Sequence, residues 1–540
     1  MATERTDIWV VVIYSIAIGI LSLVVPIATQ SLVNTIAFGT LLQPLVVLAL
    51  LVFLGLLCAA ILKVLRSHVV EVMQRRIFVR VSAESMERLL RVRIQAYDDD
   101  HGPELVNRFF DVVTLQKSGA TLLVEGLEVL LTTLIGMLLL AVYHPVLLIF
   151  AVLIFVSVVV TLFPLGIGAV RTAIAESKAK YALAAWLQEL ARHPATFKSL
   201  PGAGFAIERS NQLVGDYVRY RRAHWRVLIR QIIGSQMMQA IGTAGVLGAG
   251  GWLVMQRQLT LGQLVAAELV VAASLASFSK FGKQLETYYD LLAAIDKLGY
   301  LTDLPTEPSG DESVPDGKSA SIELRQISFG HHPGQALLQN LNLHIPAGSR
   351  FGITGASSSG KSTLVDLIYG LREPSSGTLL FDQSDYRNLK LYDLRAQIAL
   401  VRGIEIFHGT VEENIRLGIT GLDSSELRKI LRTVGLLESV ESLPAGLQTE
   451  LTTGGRPLTS GQSYRLMLAR ALALMPRVLI LDEILDRMED GPELDALLAA
   501  LIHPGNPWTL VVVSRSKNIL KHCLQTIELD AGQIKEKGSH

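Results

Sequence analysis

The sequence predicts a polytopic α-helical membrane domain fused to a soluble α/β domain. Half of its 540 residues are hydrophobic and only 18% are charged, and the mean hydropathy is +0.40, which is too apolar for an ordinary soluble enzyme. Long apolar runs end near residue 305, where short β-branched runs begin to alternate with helical stretches. We therefore predict a membrane domain with long cytoplasmic helical extensions over 1–302, a linker over 303–320 and a second domain over 321–537.

Six apolar stretches are near or above the roughly 20 residues needed to cross a bilayer. Tyr143, His144 and Pro145 leave a very short turn between the third and fourth stretches, which predicts an antiparallel hairpin. Arginine-rich segments follow the second and fourth, so these segments and both termini are predicted to be cytoplasmic. The six predicted spans are 8–36, 42–65, 122–142, 145–168, 228–255 and 261–281.

Three further features narrow the function classes. The net charge is zero, so no nucleic-acid partner is indicated. Cys58 and Cys523 are far apart and form no metal or redox motif, so we interpret both as reduced packing residues. Residues 8–28 lack a strong basic start and a cleavage site, which favours a first membrane helix over a signal peptide.

A glycine- and serine-rich loop lies between a predicted strand, 351–354, and a helix predicted over 364–370. It fits the pattern G-x-x-x-x-G-K-[ST], whose backbone N–H groups close around phosphate oxygens at a helix N-terminus. Lys361 is predicted to reach the β- and γ-phosphates, and the Ser362 hydroxyl to coordinate Mg²⁺, so ATP and Mg²⁺ are the predicted cofactors. The predicted phosphate-binding residues are Gly355, Ala356, Ser357, Ser358, Ser359, Gly360, Lys361, Ser362 and Thr363.

Two acidic residues end the apolar strand predicted over 478–481. An acid in this position lies beside the phosphate loop. Asp482 is predicted to hold Mg²⁺ through water, and Glu483 to polarise the water that attacks the γ-phosphate.

The run L-T-S-G-Q precedes these acids and is followed by a helix predicted from Ser463. It resembles the L-S-G-G-Q signature of the ATP-binding cassette (ABC) family. The resemblance implies that two cassettes sandwich two nucleotides, with each signature facing the γ-phosphate held by the other subunit. The signature residues are Leu458, Thr459, Ser460, Gly461 and Gln462, with serine in place of the first glycine of the pair.

The order of six spans, two long cytoplasmic excursions and a cassette resembles one half of an ABC exporter. Residues 97–111 resemble the first cytoplasmic loop of haemolysin-type and bacteriocin exporters, although no N-terminal peptidase domain is expected here. The resemblance implies an exporter-type membrane domain in a bacterial inner membrane, with a cytoplasmic cassette. It also implies a second half-transporter, in a homodimer or a heterodimer, and a periplasmic adaptor and an outer-membrane channel as possible partners.

Several positions depart from the family pattern. Arg402 stands where the family has a glutamine that senses the γ-phosphate, and Gln397 lies one turn too early to replace it. Arg515 stands in place of a histidine that contacts the γ-phosphate, and an arginine cannot shuttle protons near neutral pH. His331 takes the position of the aromatic residue that stacks on adenine. Residues 452–455 lack the glutamate of G-E-x-G, and residues 486–489 replace S-A-L-D.

These departures leave several functions open. The leading hypothesis is an ATP-driven exporter of a peptide, a protein or another amphipathic substrate, with slow or regulated hydrolysis. The alternative is a degenerate subunit that binds ATP while a conventional partner hydrolyses it. Harmless drift with full activity is a third possibility. An importer is disfavoured because importers generally keep membrane and cassette parts on separate chains.

Overall fold

A computed structural model describes residues 2–38, 42–99, 106–279, 281–331, 336–489 and 491–536. The chain forms two compact units. The first contains residues 1–92 and 99–304, and the second contains residues 93–98 and 305–540. The predicted division at 302 and 320 stays a prediction.

The first unit is helical, and helices occupy all six predicted span positions. The first predicted span is interrupted by a turn at Ser22 and Leu23, and the third predicted span begins with a π-helical turn, Leu122–Gly126. The α-helices up to residue 302, of which the short α4 lies mostly in the second unit, are α1 (Ala2–Leu21), α2 (Val24–Phe38), α3 (Leu42–Arg91), α4 (Ala96–Asp99), α5 (Asp111–Thr121), α6 (Leu127–Tyr143), α7 (Pro145–Leu162), α8 (Ala169–Arg192), α9 (Pro194–Phe197), α10 (Leu200–Met255), α11 (Leu261–Ser279) and α12 (Phe281–Thr302).

Length and composition support the membrane assignment. Among the described residues, four helical stretches are long and apolar enough to cross a bilayer: Arg5–Thr35, Gln43–Arg91, Arg108–Tyr143 and Leu200–Met255. Many of their large apolar side chains are exposed in the isolated chain, as expected of a surface that contacts lipid. The hairpin prediction is confirmed, because only His144 separates α6 from α7, where its side chain caps the amide of Val146 at 3.1 Å.

A charged cluster joins the second and third spans. Arg66, whose side chain is 3% exposed, lies 2.6 Å from Glu128, and Lys63 lies 3.0 Å from the same carboxylate. Arg66 also donates to the Ser15 hydroxyl at 3.3 Å. A carboxylate shared by two cations keeps these charges paired where water is scarce, so the cluster ties three helices together.

The second unit is an α/β domain built on three sheets. A six-stranded sheet has the order β12-β11-β3-β10-β9-β6, and its strands are parallel apart from β12. An antiparallel sheet has the order β2-β1-β4-β5, and β7 pairs with β8. The strands are β1 (Ile322–Phe329), β2 (Leu338–Ile345), β3 (Arg350–Gly355), β4 (Ser376–Phe381), β5 (Ser384–Asp385), β6 (Ile398–Val401), β7 (Gly409–Thr410), β8 (Glu450–Leu451), β9 (Val478–Asp482), β10 (Thr509–Val513), β11 (Gln525–Asp530) and β12 (Gln533–Glu536).

Helices cover the six-stranded sheet, and the strands β9 and β10 are buried at every residue. Continuous apolar strands of this kind are typical of a parallel sheet covered on both faces. The helices are α13 (Lys361–Ile368), α14 (Leu391–Gln397), α15 (Val411–Arg416), α16 (Ser424–Thr433), α17 (Leu437–Glu441), α18 (Ser460–Ala473), α19 (Pro492–Ile502) and α20 (Lys517–Leu520).

The sheet order brings the predicted site residues together. β10 lies between β3 and β9, so the carboxyl ends of β3, which leads into the phosphate loop, and of β9, which ends at Asp482, meet at one edge. Crevices outside the carboxyl ends of parallel strands are where ligands bind in such sheets. The helix after the loop begins at Lys361, three residues before its predicted start at Leu364.

Candidate functional site

The phosphate loop has a backbone that only glycine permits at two points. Gly355 has φ +151°, and a Cβ there would lie 2.2 Å from the carbonyl oxygen of Leu529. Gly360, with φ +100°, immediately precedes α13. Because other residues rarely adopt these angles, the two glycines fix the tight turn between strand and helix.

Lys361 lies inside this loop. Its ammonium donates to the carbonyls of Gly355 at 3.1 Å and Ala356 at 2.8 Å, and its side chain is 5% exposed. The same nitrogen is 3.7 Å from Glu483 Oε1. The Ser359 hydroxyl is buried in the loop with no hydrogen-bond partner among the described residues. The loop thus holds a cation and a free hydroxyl where phosphate oxygens are predicted to bind.

Glu483 leaves the end of β9 with φ +52°. Its amide donates to the carbonyl of Val513 at 2.9 Å, which holds this strained turn in place. Left-handed backbone at a residue other than glycine is concentrated at functional sites. The carboxylate lies between two cations, with Oε2 3.7 Å from the guanidinium of Arg515.

The donor set fits a magnesium ion. Asp482 is 2% exposed, and its Oδ1 is buried with no hydrogen-bond partner in the part of the chain that the structure describes. Burial raises the pKa of Asp482, and Arg402 offsets part of this effect. A carboxylate and the hydroxyl of Ser362, which is the other predicted ligand, are hard oxygen donors of the kind that Mg²⁺ prefers.

Arg402 occupies the other side of the same carboxylate. Its Nε lies 2.6 Å from Asp482 Oδ2, and its Nη1 lies 2.7 Å from Asp366 Oδ1. Its Nη2 donates to the carbonyl of Ser362 at 3.1 Å. Burial opposes the charge, but the two carboxylates outweigh it and raise the pKa of Arg402. The guanidinium is therefore a fixed cation at the predicted metal position.

Arg515 is held through its backbone rather than its side chain. Its amide donates to Asp486 Oδ2 at 3.0 Å, and the Ser514 hydroxyl donates to the other oxygen of that carboxylate. The Arg515 side chain is 59% exposed. Asp486 therefore positions the turn that carries Arg515, whose exposed guanidinium lies beside Glu483.

The run 458–462 forms the start of a helix. Thr459 and Gln462 make a capping box, in which each side chain accepts from the other residue's amide, at 3.3 and 2.9 Å. α18 therefore begins at Ser460, so the predicted start at Ser463 is wrong by three residues. Ser460 and Gly461 are exposed in the first turn, where free amides favour an anion.

His331 lies after β1 and is exposed. Its ring meets the ring of Phe329 edge-on, with 5.2 Å between the centroids. The predicted roles of this histidine, of the phosphate loop and of the signature are not tested by these contacts and stay predictions.

Two family models match the chain. The model of the ABC transporter transmembrane region matches residues 8–275, and the ABC transporter model matches residues 338–486. The chain belongs to the ABC transporter family. It joins an ABC transmembrane region to an ABC cassette, which is the architecture of a half-transporter.

Known ABC proteins resemble parts of the chain. The mycobactin import ATP-binding/permease protein of Mycolicibacterium smegmatis is 30% identical over 344 residues, which cover 62% of this chain and 58% of that protein. The ATP-dependent lipid A-core flippase of Xanthomonas campestris is 32% identical over 314 residues, which cover 56% and 52%. The matches thus span less than two thirds of these relatives.

A solved structure supports the ABC exporter fold. The chain superposes on a bacterial Atm1-family ABC exporter with ATP bound, with a TM-score of 0.86 over 100% of this chain and 96% of that one. The sequences are 20% identical, so the likeness concerns the fold. It confirms the predicted fold class, a polytopic exporter-type helical domain fused to an α/β P-loop cassette.

The ABC cassette also contains site residues that the sequence reasoning missed. Asp366 lies four residues after Ser362 on α13, which places both on one helix face, and this spacing could have indicated it. Arg372 joins Asp366 to Asp98: its Nε is 3.2 Å from Asp366, and its two terminal nitrogens are each 2.9 Å from Asp98. Five side chains of alternating charge thus form a continuous row: Asp98, Arg372, Asp366, Arg402 and Asp482.

Proposed function

We propose that this chain is one half of an ATP-driven ABC transporter that works as a dimer and exports its substrate. The observation that carries the proposal is the meeting of Lys361, Asp482 and Glu483 at one sheet edge of a cassette fused to a membrane domain. A phosphate loop alone indicates nucleotide binding. The two acids beside it supply what hydrolysis requires.

The reaction assigned to this site is the hydrolysis of ATP. Glu483 accepts a proton from a water molecule as the water oxygen bonds to the γ-phosphorus, and the bond from that phosphorus to the bridging oxygen breaks, which releases ADP and phosphate. Mg²⁺ bound by Ser362 and Asp482 would neutralise phosphate charge. Lys361 neutralises further charge from inside the loop, and the signature of the second subunit completes the site.

The direction and the substrate are proposals. Export follows from the resemblance of residues 97–111 to peptide and protein exporters, and the name of the Xanthomonas relative describes a lipid flippase. A relative named for import is described as both ATP-binding and permease, so the fusion of the two parts does not by itself exclude import. We favour an amphipathic substrate, with peptides and proteins first.

The dimer and the location belong to the same proposal. A half-transporter has one cassette, whereas the family's nucleotide sandwich needs two, so a second copy of this chain is the favoured partner. The bacterial inner membrane is the proposed location, with the cassette and both termini cytoplasmic. A periplasmic adaptor and an outer-membrane channel are partners of the exporters that residues 97–111 resemble.

A second candidate function rests on Arg402 and Arg515. Arg402 pairs with the carboxylate that should serve the metal, and Arg515 replaces a histidine near Glu483. If both substitutions weaken transition-state stabilisation, turnover falls by roughly 10²–10³, or about 3–4 kcal/mol. The chain would then be a degenerate subunit whose partner hydrolyses ATP.

The test is ATP hydrolysis by the full chain, purified in lipid nanodiscs with magnesium. We expect steady-state phosphate release that Glu483→Gln abolishes while nucleotide binding persists, and Lys361→Ala should weaken the binding itself. The conservative change at Glu483 keeps the size of the side chain and removes its basicity. Equal activity with and without Glu483 would refute the catalytic assignment, and tight binding without turnover in the unmodified chain would favour the degenerate subunit.

A further inference from the structure

The side chain of Arg402 is fixed in the cassette by several partners. Three separate groups hold its guanidinium: the carboxylates of Asp482 and Asp366 and the carbonyl of Ser362. The two carboxylates come from different elements, β9 and α13. A side chain that uses each of its three nitrogens on a different partner has one preferred geometry, since the donors form a planar, rigid fork.

The carboxylates are arranged to receive this charge. The Asp482 side chain is 2% exposed and that of Asp366 is 13% exposed, so neither charge can rely on solvent. Arg372 binds the second oxygen of Asp366 from the far side and leaves the first for Arg402. An arginine keeps its proton under all ordinary conditions, so the positive charge at this point is permanent.

We propose that Arg402 is an internal cation that shares the metal position with Mg²⁺ and lowers the dependence of nucleotide binding on divalent metal. The proposal rests on the ATP binding proposed above. With Arg402 in place, Asp482 and Asp366 are neutralised before any metal arrives, and a metal ion must compete with the guanidinium for Asp482.

The electrostatics of the variant site give the direction of the effect. Without Arg402, Asp482 loses its paired cation, while Asp366 keeps its ion pair with Arg372 and Glu483 keeps Lys361 and Arg515 nearby. The added negative charge lowers the affinity of the variant for metal-free nucleotide and raises its affinity for the metal ion. Arg402 and the metal ion compete for the carboxylate of Asp482. Because such coupling is reciprocal, Arg402 weakens the binding of the metal by the same factor by which the metal weakens the ion pair of Arg402.

The experiment measures binding rather than activity. The dissociation constant of a fluorescent ATP analogue is determined for the full chain in nanodiscs, once with excess Mg²⁺ and once with EDTA. The ratio of the two constants reports the dependence on metal. It is compared between the unmodified chain and Arg402→Gln, which keeps a polar side chain of similar length and is the residue of the family pattern.

We expect a ratio below about 3 for the unmodified chain and a ratio at least about tenfold larger for Arg402→Gln, a coupling of about 1.4 kcal/mol. The Arg402 side chain is 36% exposed, so solvent screening reduces the effect below that of a buried pair. Titration with Mn²⁺, followed by the loss of its free EPR signal, should show tighter metal binding to the variant at saturating nucleotide.

Controls separate this proposal from the one on which it rests. Arg428→Gln removes an exposed arginine paired with Glu441 at 3.7 Å and should leave the ratio unchanged, and Lys361→Ala should weaken binding in both buffers. Ratios that agree within about twofold between the unmodified chain and Arg402→Gln would overturn the role of Arg402 alone. Binding in neither buffer, or binding unaffected by Lys361→Ala, would overturn the nucleotide site as well.

Discussion

The ion pair between Asp98 and Arg372 predicts how residues 93–98 are held in the second unit. Arg372 makes two hydrogen bonds to Asp98, both of 2.9 Å, and its own side chain is 8% exposed. Hydrogen bonding to Arg372 and the positive charge of its guanidinium lower the pKa of Asp98, so the pair is intact at neutral pH. Arg372→Gln should therefore loosen this segment.

The magnitude follows from the geometry. A charged hydrogen bond contributes about 1.5–3 kcal/mol when desolvated, but the Asp98 side chain is 43% exposed, so the pair is worth about 1–1.5 kcal/mol after screening. Opening of the segment should become about tenfold more frequent. The amides of Ala96, Tyr97 and Asp98 report this opening, because each donates to a carbonyl three residues earlier.

The assay is hydrogen–deuterium exchange of the peptide that covers 93–99. We expect about tenfold faster exchange in Arg372→Gln and an intermediate rate in Arg372→Lys, which keeps the charge without the two-pronged contact. Arg387→Gln is the matched control, since Arg387 is exposed and pairs with Asp385. Unchanged exchange in Arg372→Gln, or equal acceleration in Arg387→Gln, would refute the reasoning.

Two further outcomes can be measured on the same protein. Burial lowers the pKa of Lys297 from 10.5 to about 8 against the attraction of Asp111. Between these two pH values the unfolded chain binds one more proton than the folded chain, so the free energy of unfolding should rise with pH by up to about 3 kcal/mol. Thermal unfolding should show this rise, and Lys297→Met should remove it. Arg477 is 5% exposed and donates to two carbonyls within 315–319. Arg477→Met should therefore speed tryptic cleavage after Lys318 several-fold, since each lost hydrogen bond is worth about 1 kcal/mol. Cleavage at the original rate would show that other contacts hold this stretch.

The elements that sequence patterns predicted well are those with local causes. The strand before the phosphate loop and the strand before Asp482 were apolar runs bounded by glycine or acid, and both are confirmed. The turn at His144 followed from the short stretch Tyr143–His144–Pro145 between two long apolar runs. Helix starts were predicted too late at Lys361 and Ser460, because loop residues that belong to a motif also form the first helical turn.

The charged contacts of the site could not be predicted in the same way. Arg402, Asp366 and Asp482 are separated by long stretches of chain, and only the parallel pairing of β6, β9, β10 and β3 brings their neighbourhoods together. The sequence showed that Arg402 departs from a family pattern. It contained no signal that this side chain turns toward the metal ligand, since that depends on Asp366 and on the carbonyl of Ser362.

The central claim, hydrolysis of bound ATP by Glu483, is tested most directly by a single turnover. Steady-state rates depend on product release as well as on chemistry, whereas one turnover of protein preloaded with radiolabelled ATP reports the chemical step itself. The account predicts that the label passes from ATP to phosphate in the unmodified chain and stays in ATP in Glu483→Gln. Release of phosphate at the same rate in both proteins would contradict it.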